Sequence, residues 1–333
     1  MVRRVCFGFA AVVALTAATC GLAPAAFAET NSTPAIPVGS TPMSVAVGPH
    51  SRNVYVANWN DDTVSLLDAR SKKVVSTIPV GHGPDGLAVA PNWKTLYVAN
   101  GGDDSISVVD VRSRKVVDTI QDGGNPMGVA AAPDGKTVYV TNNGSNAMTI
   151  IDTESRQAVA TVPVGKYPMG VAVAPDGKTV YVANQSGNTI SVIDAASHKV
   201  TSTITVGVSP ESVSVAPDGK TVYVANATSG DVSVVDTSTH NVSSFEAGWE
   251  PMGITVTPDG TKVLVTNAGD NTMSVYSTGS GKVLGTIPVG ASPWSVAAAP
   301  DGQTAYIANM KDNTVSVYSL AQSLSDSHGV RSR

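Results

Sequence analysis

Short apolar runs rich in Val, Ala and Tyr, each broken by a polar turn, follow one another along the chain. Residues 170–206 show the pattern. "GVAVA" (Gly170 to Ala174) reads as one strand and "PDGK" (Pro175 to Lys178) as a tight turn, with Asp and Gly in turn positions. "TVYVAN" (Thr179 to Asn184), "TISVID" (Thr189 to Asp194) and "KVTSTITV" (Lys199 to Val206) read as three further strands, joined by "QSGN" and "AASH". No segment carries apolar residues at helical spacing.

The four-strand pattern recurs. An "IPVG"-like signal starts at Ile36, Ile78, Ile120, Val162, Ile204, Phe245 and Ile287, with spacings of 42, 42, 42, 42, 41 and 42 residues. A period of forty-odd residues made of short strands is the signature of propeller blades. The expected fold is all-β, a seven-bladed β-propeller of four-stranded antiparallel blades. Pro37, Pro79, Pro163 and Pro288 all fall in the fourth strand of their units. Proline cannot donate a ladder hydrogen bond, so this strand is placed at the outer edge and the Ala/Val-rich first strand at the crowded centre. The seventh unit supplies only "WSVAAA" (Trp294 to Ala299), "TAYIAN" (Thr304 to Asn309) and "TVSVYS" (Thr314 to Ser319), while "PAIPVG" (Pro34 to Gly39) is a fourth strand with no blade before it. Pairing Ala35–Val38 beside Thr314–Ser319 is predicted to complete the last blade and close the ring.

"YVAN" at Tyr55, Tyr97, Tyr181 and Tyr223, "YVTN" at Tyr139, "LVTN" at Leu264 and "YIAN" at Tyr306, with "PDG" turns at Pro133, Pro175, Pro217, Pro258 and Pro300, resemble the YVTN-repeat (YncE-like) β-propeller family. The resemblance covers Ile36 to Leu320 and implies a seven-bladed propeller. It implies no single activity: members include surface-layer and periplasmic proteins, and similar propellers occur in lactonases, lyases and redox-enzyme subunits. The Asn that ends each copy (Asn58, Asn100, Asn142, Asn184, Asn226, Asn267 and Asn309) is expected to be structural, bonding nearby backbone. The same role is expected of Asp68, Asp110, Asp152, Asp194 and Asp236 at the ends of third strands.

The ends change the picture of where the protein works. Arg3 and Arg4 precede an apolar run from Val5 to Ala18, and Ala26-Phe27-Ala28 is a small-x-small cleavage site. Residues 1–28 are read as a secretory signal, residues 29–320 as the propeller and residues 321–333 as a disordered polar tail. Export to the periplasm, cell envelope or exterior is expected. Both cysteines, Cys6 and Cys20, fall inside the signal, so the mature chain has no disulfide and rests on its core and its closure. Losing Arg3 and Arg4, the only charged residues of that segment, moves the formal charge from −5 to −7. That balance points away from nucleic acid, and no integral membrane segment is expected.

Function in a repeat protein is sought where the units disagree. The residue after the top-loop proline reads Met43, Asp85, Met127, Met169, Glu211, Met252 and Trp294. Standing where the innermost strand begins, these seven should ring the mouth of the central channel. Four methionines at one position offer an adaptable apolar lining, or soft thioether ligands for Cu(I), with the lining preferred. Around them are expected Trp59, His82, Lys166, Tyr167, Trp249 and Glu250, where aromatic rings can stack on a sugar, a peptide or another flat group. The remaining top-loop acids, among them Asp61, Asp62, Asp103, Asp104, Asp231, Asp270 and Asp312, are read as a solvated rim. Trp93 stands at a Gly-like turn position on the opposite face.

No GxSxG, HExxH or phosphate-binding glycine loop is present, and no cofactor or resident metal is called for. Asp85 and Glu211 come from the second and fifth blades, too far round the ring to share one metal. The expected function is an exported, non-catalytic binding module, monomeric, whose top face takes a small molecule, peptide, glycan or protein. The alternatives are a lactonase- or lyase-like enzyme built on His82, Asp85 and Glu211, and a structural envelope protein.

Overall fold

The structure, a computed structural model, describes residues 33–320; the segment read as a signal and the polar tail lie outside the described residues. The described residues form seven four-stranded antiparallel sheets. Blade 1 consists of Pro42–Val47, Asn53–Asn58, Thr63–Asp68 and Lys73–Pro79, hydrogen-bonded in chain order. Five more blades repeat it. Pro42–Val47 touches Pro84–Val89, the contact is handed on around the axis, and Pro293–Ala298 touches Pro42–Val47 again. The Ala/Val-rich first strands therefore form the centre, and the fourth strands, four of them proline-ended, are outermost. Among the described residues no helix is long and apolar enough to cross a membrane.

The seventh blade is composite. Pro293–Ala298, Thr304–Asn309 and Thr314–Ser319 are completed by Thr33–Pro37, which pairs antiparallel with Thr314–Ser319 in the register Ile36↔Val315 and Pro37↔Thr314. The Val38 N–H extends the join by donating to the Asn313 carbonyl at 3.0 Å. On the top face the Thr41 N–H donates to Asn313 Oδ1 at 2.8 Å, a second tie between the two ends.

Hydrophobic burial is distributed in the seams between blades. Tyr181, Ile190 and Val192 of blade 4 pack on Val213, Val222 and Val224 of blade 5. Ile36, Tyr306 and Val315 of the composite blade pack on Val45, Val54 and Val56 of blade 1. The second strand faces a neighbour on both sides, so "VYVAN" is buried throughout. Each buried Val, Ile or Leu contributes about 1.5–3 kcal/mol.

The repeated asparagine fastens the blade internally, mainly to a side chain rather than the backbone expected from sequence. Its Nδ2 donates to the hydroxyl seven residues on: Asn58 to Ser65 at 3.0 Å, Asn142 to Thr149 at 2.7 Å and Asn309 to Ser316 at 2.9 Å. The loop that enters the blade crosses this side chain so closely that a Cβ on Gly39 would stand 2.6 Å from Asn58 Cγ. Asp68, Asp110, Asp152 and Asp194 accept from the backbone N–H three residues on, and Asp236 from Ser238 and Thr239. Hydrogen bonds from the Ser and Thr side chains of these turns and from their backbone N–H groups hold all five carboxyls below their ordinary range, Asp236 at about 2. At the turn where five other blades carry glycine, Trp93 has φ 58° and stands 42 % exposed.

Candidate functional site at the channel mouth

In all seven blades the pairing of first and second strands slips by one residue just after the top-loop proline. In blade 3, Pro126 faces Asn142 but Val129 already faces Val140. The extra residue is a β-bulge, a device that re-aims a side chain. Here it carries the variable position, and Met43, Asp85, Met127, Met169, Glu211, Met252 and Trp294 all line one cavity of about 170 Å³ at the mouth of the channel.

The residue after each of these is Gly or Ser, because neighbouring inner strands nearly touch at this level. A Cβ on Gly170 would lie 2.8 Å from the Glu211 carbonyl oxygen. Asp85 and Glu211, from the second and fifth blades, line the same cavity. Burial drives the Asp85 carboxyl up to about 7, and the charge of Glu211 adds to the rise. Glu211 is itself buried, which raises its own pKa, although a hydrogen bond from Gln185 Nε2 to its Oε1 opposes the rise. Asp85 Oδ2 is sealed from solvent and has no hydrogen-bond partner. The mouth thus holds two carboxyls disfavoured as anions within a lining of thioethers and one indole. Among the described residues no group of three or more His, Cys, Asp or Glu gathers where it could hold a metal.

A groove of about 360 Å³ adjoins the cavity, walled by Glu211, Ala227, Thr228, Trp249, Glu250, Met252 and Trp294. Glu211, Met252 and Trp294 belong to both spaces. Trp249 stands 66 % exposed over Gly269.

The other expected rim residues divide differently. Trp59 is half-buried against the next blade: a Cβ on Gly83 or Gly101 would come within 3.1–3.2 Å of its indole. The His82 ring lies outside the cavity, its Nδ1 2.7 Å from Asp62 Oδ2 rather than beside Asp85. Tyr167 is exposed and holds φ 57°.

Several top-loop acids do more than solvate a rim. The residue before each top-loop proline has positive φ: Thr41, Gly83, Asn125, Tyr167, Ser209, Glu250 and Ser292. In six of these the backbone N–H donates to an Asn or Asp in the preceding blade, as Gly83 does to Asp62 at 2.9 Å and Tyr167 to Asn146 at 2.8 Å. The acceptors Asp62, Asp104, Asn146, Asn188, Asn271 and Asn313 are themselves in the left-handed region that Asn and Asp tolerate. At the seventh place, facing Glu250, stands Gly230, which has no side chain to offer. The sequence carried this signal as an Asn, Asp or Gly at one register of every unit.

Comparison with known proteins agrees with this architecture. None of the curated proteins matches the chain. In the solved structure of Kuenenia stuttgartiensis hydrazine synthase, a chain 25% identical to this one superposes with a TM-score of 0.78, over 90% of this chain and 99% of that one. The family model for the YNCE-like beta-propeller matches residues 80–175 and 130–218. With seven blades built on one repeat, this chain is a β-propeller similar to the YNCE-like family across residues 80–218.

Proposed function

We propose that the protein is an exported, non-catalytic binding module that takes a small ligand, or one end of a larger one, at the channel mouth on its top face. The observation carrying this reading is Asp85. Its Oδ2 is sealed from solvent without a partner, and the residue lines the cavity together with every other variable ring residue. An enclosed acceptor with nothing bonded to it costs about 1–3 kcal/mol, a cost that a ligand's donor or positive charge removes. The adaptable methionines suit a lining that moulds to what it holds. Export is supported by Arg3, Arg4, the apolar run behind them and Ala26-Phe27-Ala28. The acidic top face disfavours nucleic acid, which demands cations along its phosphates.

The enzymatic alternative finds less support, because His82 turns to Asp62 and away from the two buried carboxyls. A thermal-shift screen of cations, amines, sugars, peptides and lactones tests the proposal. A saturable ligand should stabilise the wild type, and Asp85→Asn should weaken that ligand at least tenfold. Stabilisation indifferent to Asp85→Asn would move the site elsewhere on the molecule.

A further inference from the structure

We infer that the ligand carries a methylated ammonium group, held in the groove between Trp249 and Trp294. The inference rests on the binding reading above and adds to it the chemical class of the ligand. The groove combines two indoles, a thioether, the exposed-rim acid Glu250 and the buried carboxyl of Glu211, which a bound cation would favour as its anion, and no Lys, Arg or His lines it. Such walls attract positive charge twice over, through the indole faces and through the acids.

The groove lacks the acceptors that an unmethylated ammonium needs. Beyond the two carboxylates its walls offer one side-chain oxygen, that of Thr228, and Glu211 already accepts a bond from Gln185. A primary ammonium brings three N–H donors that need acceptors once desolvated, whereas a trimethylammonium brings none and presents methyl groups to indole and thioether surfaces. Glu211 and Met252 line both the groove and the channel cavity, so a ligand seated here reaches on toward Asp85 with its other end. Trp249 is mostly exposed over Gly269, so its truncation probes binding with little effect on the fold.

The test is calorimetric titration of the full-length chain with choline, its neutral isostere 3,3-dimethylbutan-1-ol, and ethanolamine, followed in parallel by tryptophan fluorescence. Choline should bind saturably and at least about tenfold tighter than either comparison compound. Trp249→Ala should weaken it about tenfold without moving the melting temperature, and Glu250→Gln should weaken it by a smaller factor. Equal binding of the neutral isostere, tighter binding of ethanolamine, or indifference to Trp249→Ala overturns the inference. If no ammonium compound binds while another ligand stabilises the wild type and not Asp85→Asn, the methylated-ammonium class fails and the channel-mouth reading stands. If no ligand of any class depends on Asp85, both fail.

Discussion

Ile36→Ala tests the closure of the ring at its most buried point. Ile36 is 5 % exposed, seated among Val45, Val54 and Val315 and paired with Val315 in the ladder. Truncating a buried isoleucine costs about 2–5 kcal/mol, set by how far the site collapses into the space left. An outer strand collapses more readily than a central one, so about 2–3 kcal/mol is expected. At roughly 2 °C per kcal/mol for a chain of this size, the melting temperature should fall by about 4–6 °C. Starting the chain at Gly39 removes more. It takes away the side chain, the pairing of Thr33–Pro37 with Thr314–Ser319, and the bond from Val38 N–H to Asn313. With about 0.5–1.5 kcal/mol net for each backbone bond, the loss reaches about 5 kcal/mol or more, set against the roughly 5–15 kcal/mol that stabilises a typical fold. It also bares the edge of Thr314–Ser319, so aggregation should rise. Val75, on the outer strand of blade 1 but 47 % exposed, is the control, and Val75→Ala should cost under about 0.5 kcal/mol. Urea unfolding followed by far-UV circular dichroism, with light scattering, reads both effects. If Ile36→Ala is no more costly than Val75→Ala, the clasp does not hold the ring.

Three further outcomes are expected. Trp93→Gly should stabilise the protein by about 0.5–1 kcal/mol in urea melts, because the left-handed cost of a non-glycine residue exceeds the extra chain entropy of glycine. Gly230→Asn should add about 0.5–1 kcal/mol by supplying the missing bond to the Glu250 N–H, since φ 70° suits Asn and a Cβ there meets only the Gly248 carbonyl oxygen at 3.7 Å; a variant less stable than wild type would refute this. In the ligand-free protein Asp85, raised to about 7, should cost stability as pH climbs from its unfolded value near 4 through 7, because the folded form holds its proton longer. Asp85→Asn should therefore match the wild type in melting temperature near pH 4 and exceed it increasingly up to pH 7, by ~4 kcal/mol at most. The five turn-capping aspartates act oppositely, their contribution fully present above pH 4 and lost as pH falls through their lowered folded values. A difference that shrinks between pH 4 and 7 would contradict the assignment for Asp85.

Blade number, strand order and the composite last blade were all legible in the sequence, because each follows from a local rule repeated seven times. "TVYVAN" (Thr179 to Asn184) has the bounds expected of it, and the orphan "PAIPVG" finds the partner its isolation implied. The ring position was legible too, as the one register where Met, Asp, Glu and Trp replace one another. The aim and tightness of the ring were not. The bulge after Pro126, and the crowding that brings Asp85 under the influence of Glu211, arise only when seven inner strands converge on one axis. Asp62 and Asp104 read as solvated acids because a carboxylate shows its charge in the sequence, whereas the loop N–H groups it accepts from are set by backbone geometry. Trp59 shares a face with Trp249, but only the packed loops show that one indole is walled in by Gly83 and Gly101 while the other stands open.

The composite blade also fixes an order of events during synthesis. Thr33–Pro37 leaves the ribosome before any blade exists, yet its partner Thr314–Ser319 is nearly the last of the described segments to emerge. Blades 1 to 6 each draw their four strands from one unit of the repeat, so each can form its sheet as it appears. The seventh waits for both ends, and the tie from Thr41 to Asn313 spans 272 residues of chain. Such distant pairing is the slow step of folding, since the entropy of closing so long a loop must be met before the contact returns anything. Until then the leading strand and the trailing edge both lie unpaired. The interval between the first strand and the last is when this protein is most open to capture by another copy, and a factor that shields one end through that interval would raise the yield of closed rings.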